Sequence, residues 1–378
     1  MSKGARRTLA DEWVAAFEAA RQVRRRVDKS IVAQFAEMAR LWRLPNRITP
    51  DEYYALCLYD DKRFDRATKA TFLGHRAKPY VYRVNSRSWQ ALADDKLTSL
   101  AQLTAYGFPI ARTYATYAPG RIFPGALTLA TLGDVGAFLR SAEAPYPLFS
   151  KPVAGALGRG GQALTGYDSR RDELSLGNGT TMSVASYLDE AKRVNAGGTL
   201  FQELVKPHPA LRPISGDRLS TVRVLVFNGR DGASTIHRVV WRVPVGANMV
   251  DNFRHGRLGN MLASVSISDG TVRRVVSGMG LEMRDVERHP DTGQALIGVK
   301  LPDWARLIDV CLAASRVWNG LRVQGWDVAL SDRGPLLMEV NFRADFDLLQ
   351  FAEGAGVLDD AWRRFMNAHR PRQERADS

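Results

Sequence analysis

The sequence predicts an α+β protein, with a mostly helical N-terminal region followed by two mixed lobes. Three observations predict it. Near the start, Trp13, Val14, Phe17, Val23, Val27, Ile31, Phe35, Met38, Leu41 and Trp42 recur at helical spacing. Further on, that period gives way to short apolar runs at 148–153, 199–205, 328–330 and 336–340, with glycine and proline around them. The composition, 378 residues with 45% hydrophobic and 25% charged, is that of an ordinary globular chain long enough for two or three compact units.

Residues 1–92 read as helical, with breaks expected at Pro45 and at Lys78-Pro79. Arg21, Arg24, Arg25, Arg26 and Lys29 crowd one part of this region and contribute to a net charge of +13. A helical hairpin with a solvated basic face accounts for them. Contact with an anionic membrane surface or a neighbouring enzyme remains open. The basic stretch has no nucleic-acid fold and no base-stacking aromatic platform, so a nucleic-acid partner is not expected. No uninterrupted apolar segment follows Met1 to Arg7, so neither a signal peptide nor a spanning helix is expected. Cys57 and Cys311 stand far apart and imply no disulfide framework; the cytoplasm is the expected home.

Residues 93–200 read as the first lobe. Asp95-Lys96 opens a helix, residues 148–153 form a strand bearing Lys151, a polar turn lies at Asn178, and residues 184–194 are helical. Lys151 leads into a glycine-rich segment containing Gly158, Arg159, Gly160 and Gly161. Glycines this dense let backbone N–H groups approach a polyanion. No Lys-Ser/Thr follows them, so the pattern is not a Walker loop, nor is it a dinucleotide fingerprint. A plain turn has the same glycines; the preceding lysine and the internal arginine favour phosphate.

Residues 201–368 read as the second lobe, and residues 369–378 as a charged, disordered tail. The run 199–205 puts Phe201, Glu203 and Val205 on one face, a strand able to hold a purine base by its backbone with an acid alongside. Strands dominate 221–276, with a turn at Asp269-Gly270, and a helix covers 304–318. The segments 328–330 and 336–340 then pair as a hairpin through the turn 331–335. Residues two apart share a face, so Glu339 and Asn341 point together, and Asp327 approaches them from the start of the partner strand. No basic residue is expected between the two carboxylates to neutralise the pair. Two carboxylates and an amide oxygen suit Mg²⁺.

In order, these pieces resemble the ATP-grasp superfamily, and more narrowly its branch associated with sugar transfer and polysaccharide gene clusters. The resemblance runs through Asp95-Lys96, Ser150-Lys151-Pro152, Gln202-Glu203-Leu204-Val205, Ser220-Thr221-Val222-Arg223, Val250-Asp251-Asn252, His289-Pro290-Asp291-Thr292-Gly293, Gly325-Trp326-Asp327 and Glu339-Val340-Asn341, about three quarters of the chain. It implies the ATP-grasp fold, in which two α+β lobes clasp ATP. Lys151 and Lys96 would hold the nucleotide phosphates, and Gly158, Arg159, Gly160 and Gly161 would form a flap over them. Gln202, Glu203 and Val205 would form the adenine and ribose contacts. Asp327, Glu339 and Asn341 would hold Mg²⁺, and Asp251 and Asn252 would orient the substrate. Many relatives carry an arginine two residues before the metal-binding aspartate, where this chain has Gly325. The catalytic cation therefore falls to Arg223, Arg242 or Arg343, with Arg223 preferred.

The implied activity is an ATP- and Mg²⁺-dependent ligase that activates a carboxylate as an acylphosphate and joins it to an amine. Its partners would be small or saccharide-linked, in polysaccharide or related biosynthesis. A kinase acting on a sugar-like hydroxyl and a non-catalytic nucleotide-binding scaffold are the alternatives.

Overall fold

Capping chemistry sets the helices of the N-terminal region. In the computed structural model, residues 9–154, 160–194, 197–246, 251, 253, 256 and 259–369 are described. Helices α1 (Leu9–Val27), α2 (Ile31–Arg43), α3 (Pro50–Ala55), α4 (Arg66–Lys69), α5 (Lys78–Tyr82), α6 (Arg87–Asp94) and α7 (Lys96–Ala105) precede the first strand. Ser30, Asp65 and Asp95 each accept a backbone N–H three residues on, opening α2, α4 and α7. At α3 the Glu52 carboxylate reaches back to the Thr49 N–H at 3.0 Å. Pro45 ends a helix as expected, but Lys78-Pro79 opens one. Proline in a first turn gives up no helical hydrogen bond.

The apolar stripe of α1 also differs from expectation. Ala16, Ala20 and Val23 are buried, whereas Val14 and Phe17 are exposed along with Arg21, Arg24, Arg25 and Arg26. Small alanines let α1 close on its neighbours, so the bulkier residues face outward.

The first sheet comprises β1 (Thr113–Tyr117), β2 (Leu127–Leu129), β3 (Leu148–Pro152), β4 (Gln162–Asp168), β5 (Glu173–Leu176), β6 (Thr181–Ser183) and β7 (Thr199–Glu203), in the order β2-β1-β7-β3-β4-β5-β6. Helices α8 (Leu132–Arg140) and α9 (Val184–Val194) contribute to a core of Phe138, Leu139, Leu148, Leu164, Leu174, Tyr187 and Phe201. Strand β7 lies between β1 and β3, antiparallel to both. The first sheet therefore extends to Glu203, past the expected boundary at 200.

After α10 (Arg212–Ser215), the second sheet is built from β8 (Thr221–Asn228), β9 (Ser234–Val243), β10 (Met261–Val265), β11 (Val272–Ser277), β12 (Arg284–Asp285), β13 (Val323–Ser331) and β14 (Gly334–Asn341). Their order is β12-β11-β10-β9-β8-β13-β14, with neighbours antiparallel. Alternation assigns its two faces. Val222, Val224, Trp241, Trp326 and Val328 cluster with Leu307, Cys311 and Ala314 of α11 (Trp304–Val317). Leu225, Phe227, Val240, Leu262 and Val323 cluster with Phe346 and Leu349 of α12 (Phe346–Glu353), with Trp362 of α13 (Asp360–Ala368) and with the N-terminal helices. One end of this second face carries polar residues instead.

Helix α7 belongs to two cores. Leu97 and Leu100 pack with Ala118, Val153 and Leu200 of the first lobe, while Leu103 joins the core beneath the second sheet. A parallel bridge between Ile110 and Leu337 also ties the segment after α7 to β14.

Candidate active site

Strand register builds the polar end of the second sheet. Asp327 lies opposite Arg223 on β8 and opposite Glu339 on β14. Gly325 faces Asn341, and Arg242 of β9 faces Thr221 of β8. Four strands thus deliver Arg242, Thr221, Arg223, Asp327, Glu339 and Asn341 to one face.

Their contacts are dense. The Arg223 guanidinium grips Asp327 edge-on through Nε and Nη2, the latter donating to Oδ2 at 2.9 Å. Arg242 Nη2 reaches the same oxygen at 3.0 Å. Asp251 Oδ2 accepts from the Thr221 backbone N–H at 2.7 Å and from its hydroxyl at 2.5 Å, with Arg242 Nε 3.6 Å away. Asn341 Nδ2 donates to Glu339 Oε1 at 3.2 Å.

Burial by itself would push the Asp327 carboxyl up, but the Arg223 and Arg242 guanidiniums reverse this and hold it well below the usual carboxylate range. Burial would likewise lower both arginines. The nearby carboxylates, Asp327 for Arg223 and Asp251 with Asp327 for Arg242, instead raise them. Asp327, Arg223 and Arg242 are therefore charged at neutral pH. The sequence predicts no basic residue between the acids and puts Asp327 at a strand start. In fact Asp327 sits within the nine-residue β13, where the neighbouring strand β8 and, beyond it, β9 bring the two guanidiniums.

Lys151 on β3 lies within electrostatic reach of both Lys96 and Glu339. Burial and the neighbouring Lys96 ammonium pull it down to about 8, with Glu339 acting in the opposite direction. Lys151 thus feels both a second lysine of the first lobe and the acid of β14.

The other expected contacts fall out differently. The buried Gln202 side chain donates to Thr113 Oγ1 at 2.9 Å, inside the first lobe, and its backbone lies in a strand paired on both sides. The Glu203 carboxylate accepts the Arg112 N–H at 2.8 Å and pairs with Arg333 of the β13–β14 turn. Val205 is half-buried beyond the end of β7. Arg343 is exposed, its guanidinium 5.1 Å from the Phe342 ring centre, and it forms no ion pair among the described residues. Gly160 and Gly161 enter β4, Gly160 with a φ of +77°. Gly158, Arg159 and Asn252 lie outside the described residues.

Sequence reasoning missed Thr221, which supports Asp251 and Arg242 together. The Ser-Thr-Val-Arg run held the signal, since Thr221 is two residues from Arg223 and shares its face.

The donor chemistry fits magnesium. Glu339 and Asn341 offer hard oxygens, and a carboxylate has about four lone-pair sites, so Asp327 keeps one beyond its three guanidinium contacts. Among the described residues, no group of three or more His, Cys, Asp and Glu is arranged to hold a metal ion. This set is smaller, two carboxylates and an amide.

The sequence profile of the family described as sugar-transfer associated ATP-grasp matches residues 75–363. The chain belongs to that family. Its fold is ATP-grasp, and the superfamily's members are ATP-binding carboxylate–amine ligases that generally use Mg²⁺. No curated protein sequence matches this ATP-grasp chain. Among solved structures, it is similar to biotin carboxylase from Campylobacter jejuni, at 12% identity and a TM-score of 0.46, covering 76% of this chain and 48% of that one. It is also similar to the D-alanine–D-alanine ligase of Coxiella burnetii (11% identity, TM-score 0.41, covering 75% and 60%). The corresponding Bacillus anthracis ligase shows 12% identity and a TM-score of 0.39, covering 78% and 74%. The chain spans about half the length of the biotin carboxylase chain and 60% of the Coxiella ligase. Likenesses this distant bear no functional weight. Among the described residues, no helix is long and apolar enough to cross a membrane.

Proposed function

We propose that this protein is an ATP-dependent ligase that activates a carboxylate as an acylphosphate and joins it to an amine, with a small or saccharide-linked substrate. The observation that carries this reading is the Arg223–Asp327–Arg242 row with Glu339 and Asn341 on one face of the second sheet, with Lys151 within electrostatic reach of Glu339 and Lys96.

Lys151 and Lys96 hold the nucleotide phosphates, and the segment leaving β7, through Val205, holds the base. Glu339, Asn341 and the remaining Asp327 lone pair hold Mg²⁺, which when bound offsets triphosphate charge. Arg223 faces the transferring phosphoryl group. The substrate carboxylate oxygen attacks the γ-phosphorus, and the bond to the ADP oxygen breaks. The amine nitrogen then attacks the acyl carbon. Phosphate leaves and the nitrogen loses a proton, giving an amide, ADP and phosphate. Arg242 clamps the acceptor carboxylate, and Asp251 fixes that guanidinium.

The test is Mg²⁺-dependent ADP release across paired carboxylates and amines, including amino acids, uronic acids and amino sugars, with hydroxylamine as trap. A ligase yields a hydroxamate with its own acid, whereas a stable phosphoester would mark a kinase. Glu339→Ala is expected to abolish turnover with the fold intact, because it removes a ligand from a partly exposed strand. Near-normal activity in that variant would refute the metal assignment. Failure of every substrate pair to release ADP would overturn the reading as a whole.

A further inference from the structure

Gly325 is the third residue of β13, a strand paired on both sides, where glycine carries an entropic cost and supplies no packing. Its φ lies outside the left-handed region, so the backbone does not require it. The reason lies in what passes over it. A Cβ at this position would stand 3.4 Å from Arg223 Cδ, 3.3 Å from Ala344 Cα and 3.5 Å from Ala344 Cβ.

Register explains the contact. Arg223 lies directly opposite Asp327, too near for a long side chain to meet the carboxylate edge-on without first leaning along the sheet. The stem leans toward residue 325, under Ala344, and the guanidinium turns back so that Nε and Nη2 meet the two Asp327 oxygens. The trough exists because residue 325 has no side chain. A methyl there would be tight only against Ala344 Cα and would just touch the arginine stem, so the additional carbons of a branched side chain would compete with that stem for space.

We propose that Gly325 is a positioning residue for Arg223, clearing the path by which an arginine of β8 supplies the guanidinium at Asp327. The catalytic consequence rests on the ligase reading above; the geometric claim does not.

Two readouts separate them. The first is the Arg223 Nε–H resonance in ¹H–¹⁵N spectra, assigned by its loss in Arg223→Lys and protected from exchange by the buried ion pair. The second is the rate of ADP release at saturating MgATP. Gly325→Val is expected to remove the protection and to lower kcat at least about tenfold, leaving the KM for MgATP within about twofold. Gly325→Ala should show a smaller loss of both and decides the matter if the valine variant does not fold. The double variant Gly325→Arg with Arg223→Ala places a guanidinium on the same face two residues from Asp327. It is expected to exceed Arg223→Ala alone in kcat, a rescue that a merely structural glycine would not give.

Wild-type protection and kcat in folded Gly325→Val would overturn the proposal, as would a folded double variant no faster than Arg223→Ala. If wild-type protein releases no ADP, the ligase reading fails, and the Nε–H protection alone decides the role of Gly325.

Discussion

Replacing Asp327 by asparagine isolates the electrostatic centre of the site. The residue is 4% exposed, and its side chain accepts three guanidinium contacts, two from Arg223 and one from Arg242. Asparagine keeps the shape but removes the charge, and its amide nitrogen must confront at least one N–H donor now held about 3 Å from Oδ2. Breaking a buried ion pair from one side costs about 3–5 kcal/mol. Two stranded arginines argue for the upper end of that range, and the remaining Glu339 and Asp251 carboxylates argue against exceeding it.

Urea unfolding at pH 7, followed by circular dichroism, should therefore show a loss of about 3–5 kcal/mol, a large share of the roughly 5–15 kcal/mol typical of a folded domain. Adding Arg242→Met removes one stranded cation and should restore at least about 1 kcal/mol. The pH dependence has a definite sign. A carboxyl held low in the folded state stabilises above its unfolded value near 4 and loses that contribution only as pH falls through the lower folded value. The gap between wild type and variant should thus persist from pH 7 to about pH 4 and narrow only in stronger acid. A loss under about 1 kcal/mol, or strict additivity with Arg242→Met, would refute the view that Asp327 anchors the arginine pair.

Two further expectations concern titration. Lys151 is pulled down to about 8 by burial and Lys96, so its ammonium is lost as pH rises through that value. The kcat/KM for ATP should fall up to about tenfold per pH unit above 8 and stay flatter in Lys151→Arg; an unchanged wild-type profile to pH 9.5 would contradict the phosphate role. His237 is buried with its ring 4.5 Å from that of Phe227, and burial together with Arg238 pulls its imidazole down to about 4, against the opposing effect of Asp359. Because the unfolded ring binds its proton near 6.5, stability should be steady above that pH and fall by up to about 3 kcal/mol on acidification toward 4. Thermal melting of His237→Leu should lack this slope, and an equal slope in both proteins would assign it elsewhere.

The site was legible where it depended on period and loosely read where it depended on pairing. Alternation placed Glu339 and Asn341 together, and β14 delivers them so. It could not show that β13 lies between β14 and β8, because strand order is settled by contacts far apart in sequence. For that reason Arg223 and Arg242 were read as separate candidates for one cation, whereas they converge on Asp327. The strand of Phe201 was visible from its apolar run, but its sheet was not. As a result β7 was divided between lobes, and Gln202 was read as facing the base although its amide turns to Thr113. Pro79 misled because proline carries opposite meanings at the first turn and in the middle of a helix.

The double anchorage of α7 has a mechanical consequence. Leu97 and Val153 share one apolar cluster, so the segments bearing Lys96 and Lys151 are braced against each other whatever angle the two lobes adopt. Swinging the lobes would then alter the span from this cationic pair to Glu339 while leaving the separation between the two ammonium groups nearly constant. The nucleotide's grip would be preassembled on one jaw, and closure would need to align only the acidic row on the other.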